Sequence, residues 1–205
     1  MTINEIKELL SHEPTAELIA ELAQDKRVAV QKLLQSYHKR IEKVALEKER
    51  FYKMLSYERQ YYGEGAKLIA GVDEAGRGPL AGPLVIAAVI LPEDVFISGL
   101  NDSKQISASK RAKLYDEVLQ KAISVSVNIV SISNIDELNI YRATQVGMSE
   151  VLLSLDVRPD VALIDAMPVE AEDIKTVSLV HGDALSASIA AASIVAKVIS
   201  DRIME

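Results

Sequence analysis

Apolar positions along residues 1–62 recur at helical spacing, and after Gly63 and Gly65 the pattern changes to short apolar runs separated by longer amphipathic stretches. Thr2 and Glu5 have the spacing of a capping box, which predicts a short first helix that Pro14 ends. Leu18, Ile19 and Leu22 stripe a second helix over Thr15–Gln24. Asp25 is placed to cap a third, long helix with Val30, Leu33, Leu34, Tyr37, Ile41, Val44, Phe51 and Leu55 on one side.

From Lys67 onward the periodicity is mixed. Leu68–Val72 and Leu84–Leu91 read as apolar strands, the second bounded by Pro83 and Pro92. Ile123–Ile132 alternates Ser or Asn with Val or Ile, the mark of a strand with one wet face. Val161–Ile164 and Val177–Val180 are expected to be short buried strands, with helices over 107–121 and 139–155. Leu185–Met204 is so rich in Ala, Ile and Val that its helix must be largely buried. Three early strands followed by helices alternating with short strands predict an α/β domain at 66–205, a mixed sheet with helices on its faces, preceded by a small all-helical domain at 1–62.

Composition narrows the chemistry. The chain has no Cys, which excludes disulfides and thiolate metal sites and fits a reducing compartment. No signal-like N-terminus and no apolar run long enough for a membrane span occur, so the expectation is a soluble cytoplasmic protein that contacts no membrane. The net charge of −7 argues against a nucleic-acid partner until its distribution is considered. Residues 26–59 hold ten Lys or Arg against four Glu, and residues 66–205 carry the whole deficit. A basic helix beside an acidic domain suits a phosphodiester enzyme, in which the helix attracts phosphate and the carboxylates hold cations; a solvated face on a helical hairpin is the plainer alternative.

The candidate chemistry starts at 71–82, Gly-Val-Asp-Glu-Ala-Gly-Arg-Gly-Pro-Leu-Ala-Gly. Asp73 and Glu74 are adjacent carboxylates at the end of an apolar strand, an arrangement that a divalent cation would compensate, the plainer alternative being a solvated strand-to-loop turn with a surface ion pair. Gly76 and Gly78 permit close backbone approach to a ligand, and Arg77 offers a planar cationic fork for phosphate. Gly76-x-Gly78-x-x-x-Gly82 loosely imitates a dinucleotide fingerprint, but Pro79 and Pro83 and the β-branched run after them predict a strand where that fingerprint needs a helix. No Walker loop is present. Asp165 ends the apolar run Ala162-Leu163-Ile164, either as a site carboxylate or as an ordinary turn residue, and Asp183 follows a third run, either in the site or as the cap of the last helix.

Together with Asn101-Asp102-Ser103-Lys104, Asn139-Ile140-Tyr141-x-Ala143-Thr144, Leu163-Ile164-Asp165-Ala166 and Gly182-Asp183 through Ala190–Val198, the run at 71–82 resembles the signatures of ribonuclease HII, in order over residues 68–205. The resemblance implies a ribonuclease H-like fold, a mixed five-stranded sheet flanked by helices. It implies four active-site and metal-holding carboxylates at Asp73, Glu74, Asp165 and Asp183. It implies that Gly76, Arg77 and Gly78 sense the junction of ribose and deoxyribose, and it sets Ser103 and Lys104 near substrate phosphates, unless they form only a polar turn. With oxygen ligands alone, Mg²⁺ or Mn²⁺ in a two-metal site is the expected cofactor. The implied partners are RNA/DNA hybrids and ribonucleotide-containing duplex DNA, cut to leave 5′-phosphate and 3′-hydroxyl ends, with no obligate protein partner.

Lys197 reads as a snorkelling residue, and Asp201 as a support for the metal or, in the plainer reading, a partner of Arg202. His181 stands where many members have Lys, and is read as a strand-end residue. Members usually continue beyond a point equivalent to Glu205 with a segment that includes a Tyr after a Gly, so this chain is expected to be C-terminally incomplete. The rival readings are a catalytically weak nucleic-acid-binding fragment and an unrelated metal-dependent phosphotransferase.

Overall fold

The computed structural model describes residues 1–78 and 82–205; Pro79, Leu80 and Ala81, with the role given above to Pro79, lie outside the described residues. Packing divides the chain into two compact units, Met1–Glu49 and Arg50–Glu205.

The first unit holds α1 (Ile3–Ser11), α2 (Ala16–Gln24) and most of α3 (Val28–Met54). The Thr2 capping box forms: the Glu5 N–H donates to Thr2 Oγ1 (3.3 Å) and the Thr2 N–H to Glu5 Oε2 (2.7 Å). Ile6, Leu10, Leu22, Val30 and Leu34 make its apolar cluster. Asp25 does not take the capping role predicted for it. It closes α2 through its own N–H to the Leu22 carbonyl (3.2 Å), while its carboxylate accepts from the Arg27 backbone (2.9 Å) and guanidinium (2.5 Å). The stripe predicted along α3 is also split. Val30 and Leu34 are buried and so are Phe51 and Leu55, but Ile41 and Val44 between them are 47% and 46% exposed.

The second unit contains the end of α3, then α4 (Ser56–Gly63), β1 (Ile69–Ala75), β2 (Leu84–Ile90), α5 (Ala108–Lys121), β3 (Ser124–Val130), α6 (Ile132–Leu138), α7 (Ile140–Leu153), β4 (Val161–Asp165), β5 (Lys175–Leu179), α8 (Gly182–Leu185) and α9 (Ala187–Met204). Residues 50–63 pack with the sheet: Phe51, Met54 and Leu55 join one core cluster and Tyr61 another. The five strands order as β3-β2-β1-β4-β5, with β1–β2 and β2–β3 antiparallel and β1–β4 and β4–β5 parallel. This is the mixed sheet expected from the sequence.

Period-two alternation assigns the faces. Val85, Ala87 and Val89 pack against α5 and α9, whereas Ala70, Val72, Ile86, Ala88, Ala162 and Ile164 pack against α7. The first turn of α9 comes very close to β1. A Cβ on Gly71 would lie 2.0 Å from the Ser188 carbonyl carbon and 2.2 Å from the Ile189 nitrogen, so only glycine lets the helix sit there.

Three local readings change. The strand expected over Ile123–Ile132 spans only Ser124–Val130, and Ile132 instead opens a helix, α6, over Ile132–Leu138. β5 is an edge strand that is half-exposed, and Val180 beyond it is 70% exposed, so the buried strand expected at Val177–Val180 is only partly covered. The last helix begins at Ala187, after the single turn of α8. Among the described residues no helix is long and apolar enough to cross a membrane.

Candidate active site

β1 and β4 run parallel with Ile69 beside Val161 and Val72 beside Ile164. Carried one residue further, that register puts Asp73 beside Asp165 where the two strands end. Both belong to the alternation set that faces α9, since Ile69, Val161 and Leu163 pack against Ile189. Two carboxylates widely separated in sequence therefore become neighbours through register alone. Asp165 Oδ1 then accepts the Gly182 N–H (2.7 Å), which anchors the start of α8 and sets Asp183 in its first turn. Asp183 is not the cap of α9, the alternative left open from the sequence; Ser186 takes that place, its Oγ accepting the Ile189 N–H (3.1 Å). His181 precedes α8 in the left-handed region, at φ 57°, rather than ending a strand.

Burial makes this group of carboxylates electrostatically tense. Asp73 is 5% exposed, and burial, then Glu74 and Asp165, push its carboxyl well above the usual carboxylate range, against a hydrogen bond from Ser193. Glu74 is also pushed up, by burial first; Asp165 adds to this, while Arg77 and Lys104 oppose it. Asp183 is raised to about 6 by burial, then by Asp102 and Asp165. The Glu74 N–H donates to Asp73 Oδ1 (2.7 Å), and Arg77 Nη1 approaches Glu74 Oε1 at 3.4 Å, but Glu74 Oε2 is buried with no hydrogen-bond partner among the described residues.

A buried acceptor without a donor beside other buried carboxylates is what a cation would relieve. The donors are all hard oxygens, which suits Mg²⁺ or Mn²⁺ and disfavours softer metals. The residues fit such an ion, although among the described residues no three acidic or imidazole side chains converge into a ready-made cage.

The glycine loop divides by role. Gly76 has φ +96° and a Cβ there would lie 2.7 Å from the Pro83 carbonyl oxygen, so this glycine is required by the turn. At Gly78 a Cβ would meet no described atom within 4 Å, so the described residues place no demand for glycine there. Lys104 is exposed and close enough to influence Glu74 and Asp183. Ser103 is different: it is 3% exposed, and its hydroxyl lies 2.9 Å from that of Ser193 on α9. Its place is beneath the site, braced against the helix that contacts Asp73.

Asp102 is the residue that sequence reasoning passed over. It caps the 3₁₀ turn Ser103–Gln105, accepting the Lys104 N–H (2.8 Å), and faces Asp183. The run Asn101-Asp102-Ser103-Lys104 was the available signal, but only Ser103 and Lys104 were singled out from it. Asp201 pairs with Lys197 (2.6 Å) and Arg111 (3.2 Å), while Arg202 lies over the Tyr115 ring instead of pairing with it.

Comparison with known proteins bears on this geometry. The family profile described as ribonuclease HII matches residues 70–205, and that of the ribonuclease HII N-terminal domain matches residues 2–62. Ribonuclease HII of Lactobacillus helveticus (strain DPC 4571) is 48% identical over 205 residues, spanning 100% of this chain and 81% of that protein. The crystal structure of ribonuclease H2 from Pyrococcus horikoshii OT3 superposes with a TM-score of 0.60 at 30% identity, over 67% of this chain and 74% of that one. Ribonuclease HII from Archaeoglobus fulgidus, solved in complex with PCNA, superposes at 0.58 with 29% identity over the same shares.

Proposed function

This chain belongs to the ribonuclease HII family, and on that premise we propose that it hydrolyses the RNA strand of RNA/DNA hybrids and cuts at ribonucleotides embedded in duplex DNA, leaving 5′-phosphate and 3′-hydroxyl ends. The observation that carries the reading is the register that sets Asp73 beside Asp165, with Asp183 anchored next to them through the Gly182 N–H. Asp73, Glu74, Asp165 and Asp183 are the residues that would hold two Mg²⁺ or Mn²⁺ ions. Bound there, the ions would lower the pKa of an attacking water and neutralise charge on the departing 3′ oxygen. The protein's own part is to position. Burial keeps bulk water from screening the carboxylates, Asp165 and Asp102 hold the two loops that converge on Asp183, and no side chain is required as a covalent nucleophile.

Arg77 and Lys104 supply positive charge beside the carboxylates for the scissile and neighbouring phosphates. Discrimination for a ribonucleotide requires a group that reads its 2′-hydroxyl, and the backbone at Gly76 and Gly78 can approach closely enough because neither carries a side chain. Gly78→Ala should therefore leave the melting temperature within about 2 °C of the parent, since surface changes are usually within ±0.5 kcal/mol. Its cleavage of a duplex with one ribonucleotide should fall at least about tenfold, an effect of about 1.4 kcal/mol on the barrier. Parent-like rates would remove the loop from recognition. Gly76→Ala makes a poor test, because it strains the turn itself.

The helical segment at 1–62 is proposed to help hold substrate. Several of its cations are already engaged: Arg27 with Asp25, Arg40 with the Leu10 carbonyl, Arg50 with the Leu100 carbonyl, and Arg59 over the Tyr52 ring. Lys32, Lys39 and Lys43 are exposed and fall on one side of α3, opposite the buried Val30 and Leu34. Changing these three lysines to Gln should make the salt dependence of duplex binding shallower, by about 0.9 for each phosphate that is no longer neutralised, measured as log K against log salt. An unchanged slope would leave α3 without a phosphate role.

A further inference from the structure

We infer that Glu58, on α4, is a positioning residue for the carboxylate site, acting through the junction of α8 and α9. The inference rests on the reading of that site as a cation-holding nuclease centre, and assigns it a support from the segment that the N-terminal domain profile covers.

Glu58 is 1% exposed and lies 128 positions from the serine it meets. Its Oε1 accepts the Ser186 hydroxyl (2.6 Å) and the Ser188 N–H (3.0 Å), and its Oε2 is buried with no hydrogen-bond partner among the described residues. A carboxyl group is rarely taken out of water in this way unless it holds something in place. What it holds is a joint. The Ser186 N–H donates to the Gly182 carbonyl (2.8 Å), closing α8, and the Ser186 Oγ accepts the Ile189 N–H (3.1 Å), opening α9. One residue therefore ends the turn that carries Asp183 and starts the helix that covers Asp73, and Glu58 is the acceptor for its hydroxyl proton.

The geometry on either side makes that joint consequential. α8 has four residues, too few to hold itself, since an isolated turn costs more in chain entropy than its hydrogen bond returns. It is fixed at its start by Asp165 through the Gly182 N–H and at its end by Ser186. Ser188, the second group bound by Glu58, is the residue pressed against Gly71, two positions before Asp73. Further along the same helix Ser193, whose hydroxyl meets that of Ser103, favours the charged form of Asp73. Release of Glu58 would leave the Ser188 N–H and the Ser186 hydroxyl buried without an acceptor and would loosen Asp183 together with the seat of α9 on β1 beside Gly71. Removal of residues 1–62 to test the basic helix would delete this support as well, so loss of activity in such a truncation would say nothing about phosphate contacts.

The test compares Glu58→Gln and Glu58→Ala in the full chain, with kcat and KM on a ribonucleotide-containing duplex, Mn²⁺ affinity by calorimetry, and the melting temperature without metal. Glu58→Gln keeps an acceptor for both bonds and should stay near the parent in kcat and Mn²⁺ affinity. Glu58→Ala should lower kcat about tenfold or more, the scale on which small misplacements act. It should also weaken Mn²⁺ binding several-fold, with the duplex KM essentially unchanged. A Glu58→Ala protein that melts lower yet keeps parental kcat and Mn²⁺ affinity would overturn the inference and leave Glu58 a packing residue only. If the alanine variant does not fold, Glu58→Asp, which withdraws the carboxyl by one methylene, is judged by the same readings. A parent that binds Mn²⁺ without cutting would defeat the nuclease reading, and the Mn²⁺ affinities would still decide the role of Glu58.

Discussion

Asp73→Asn should reduce Mg²⁺-dependent cleavage by on the order of 10³-fold or more, about 4 kcal/mol of transition-state stabilisation at roughly 1.4 kcal/mol per factor of ten. The amide has almost the shape of the carboxylate and can still accept the Glu74 N–H, so the fold has no reason to change. What it lacks is the charge at the point where β1 and β4 end side by side, next to Asp165 and Glu74. The same substitution has a signature independent of turnover. A ligand that binds only the folded state raises its stability by mass action. Added Mn²⁺ should therefore raise the melting temperature of the parent and leave that of Asp73→Asn nearly unmoved. Cleavage that persists in a clean preparation of the variant would remove Asp73 from the metal site.

Gly71→Ala should be the most damaging single methyl group in the second unit. The added Cβ would lie 2.0 Å from one backbone atom of Ser188 and 2.3 Å from another, and neither can rotate away as a side chain could. Either α9 lifts from β1 or the strand bends, and both separate the apolar faces that meet there. Overpacking of a tight core costs about 1–3 kcal/mol and sometimes more, and here the upper end applies. At roughly 2–4 °C per kcal/mol for a chain of this size, the melting temperature should fall by about 6–12 °C. Activity should fall with it, because Ser188 and Ser193 share the helix that would move. A variant that melts with the parent would mean that α9 does not press on β1 at Gly71.

Much of this arrangement was legible in the chain because it depends on strong local patterns. The Thr2 and Glu5 pair, the apolar runs of β1 and β2, and the run of small and branched residues in α9 each point to one conformation. Asp73, Glu74 and Asp165 each end an apolar run, where a plain strand-end turn was an open alternative, and only the resemblance to ribonuclease HII grouped them with Asp183 as one expected site. Less legible was whatever depends on contacts across the fold. α8 is too short to leave a periodic trace, so Asp183 could be read as the cap of the next helix. The stripe on α3 continues through Ile41 and Val44, although those residues lie between two separate apolar clusters and are exposed. Ser103 resembles a polar turn residue until α9 is seen to bring Ser193 against it. Glu58 is the extreme case. In sequence it is one more acid on a polar helix, and only the arrival of Ser186 and Ser188 from the far end of the chain makes it a buried acceptor.

The central claim is that these carboxylates make the chain a cation-dependent nuclease that recognises ribose within a duplex. The most direct measurement is cleavage, by this 205-residue chain, of a DNA duplex containing one ribonucleotide, with an all-DNA duplex as control, in Mg²⁺ or Mn²⁺ and then with chelator. The account predicts a single cut at the ribonucleotide with 5′-phosphate and 3′-hydroxyl products, none in the all-DNA duplex, and none once the metal is withdrawn. Cleavage that ignores the chelator, or that falls equally on both duplexes, would contradict it.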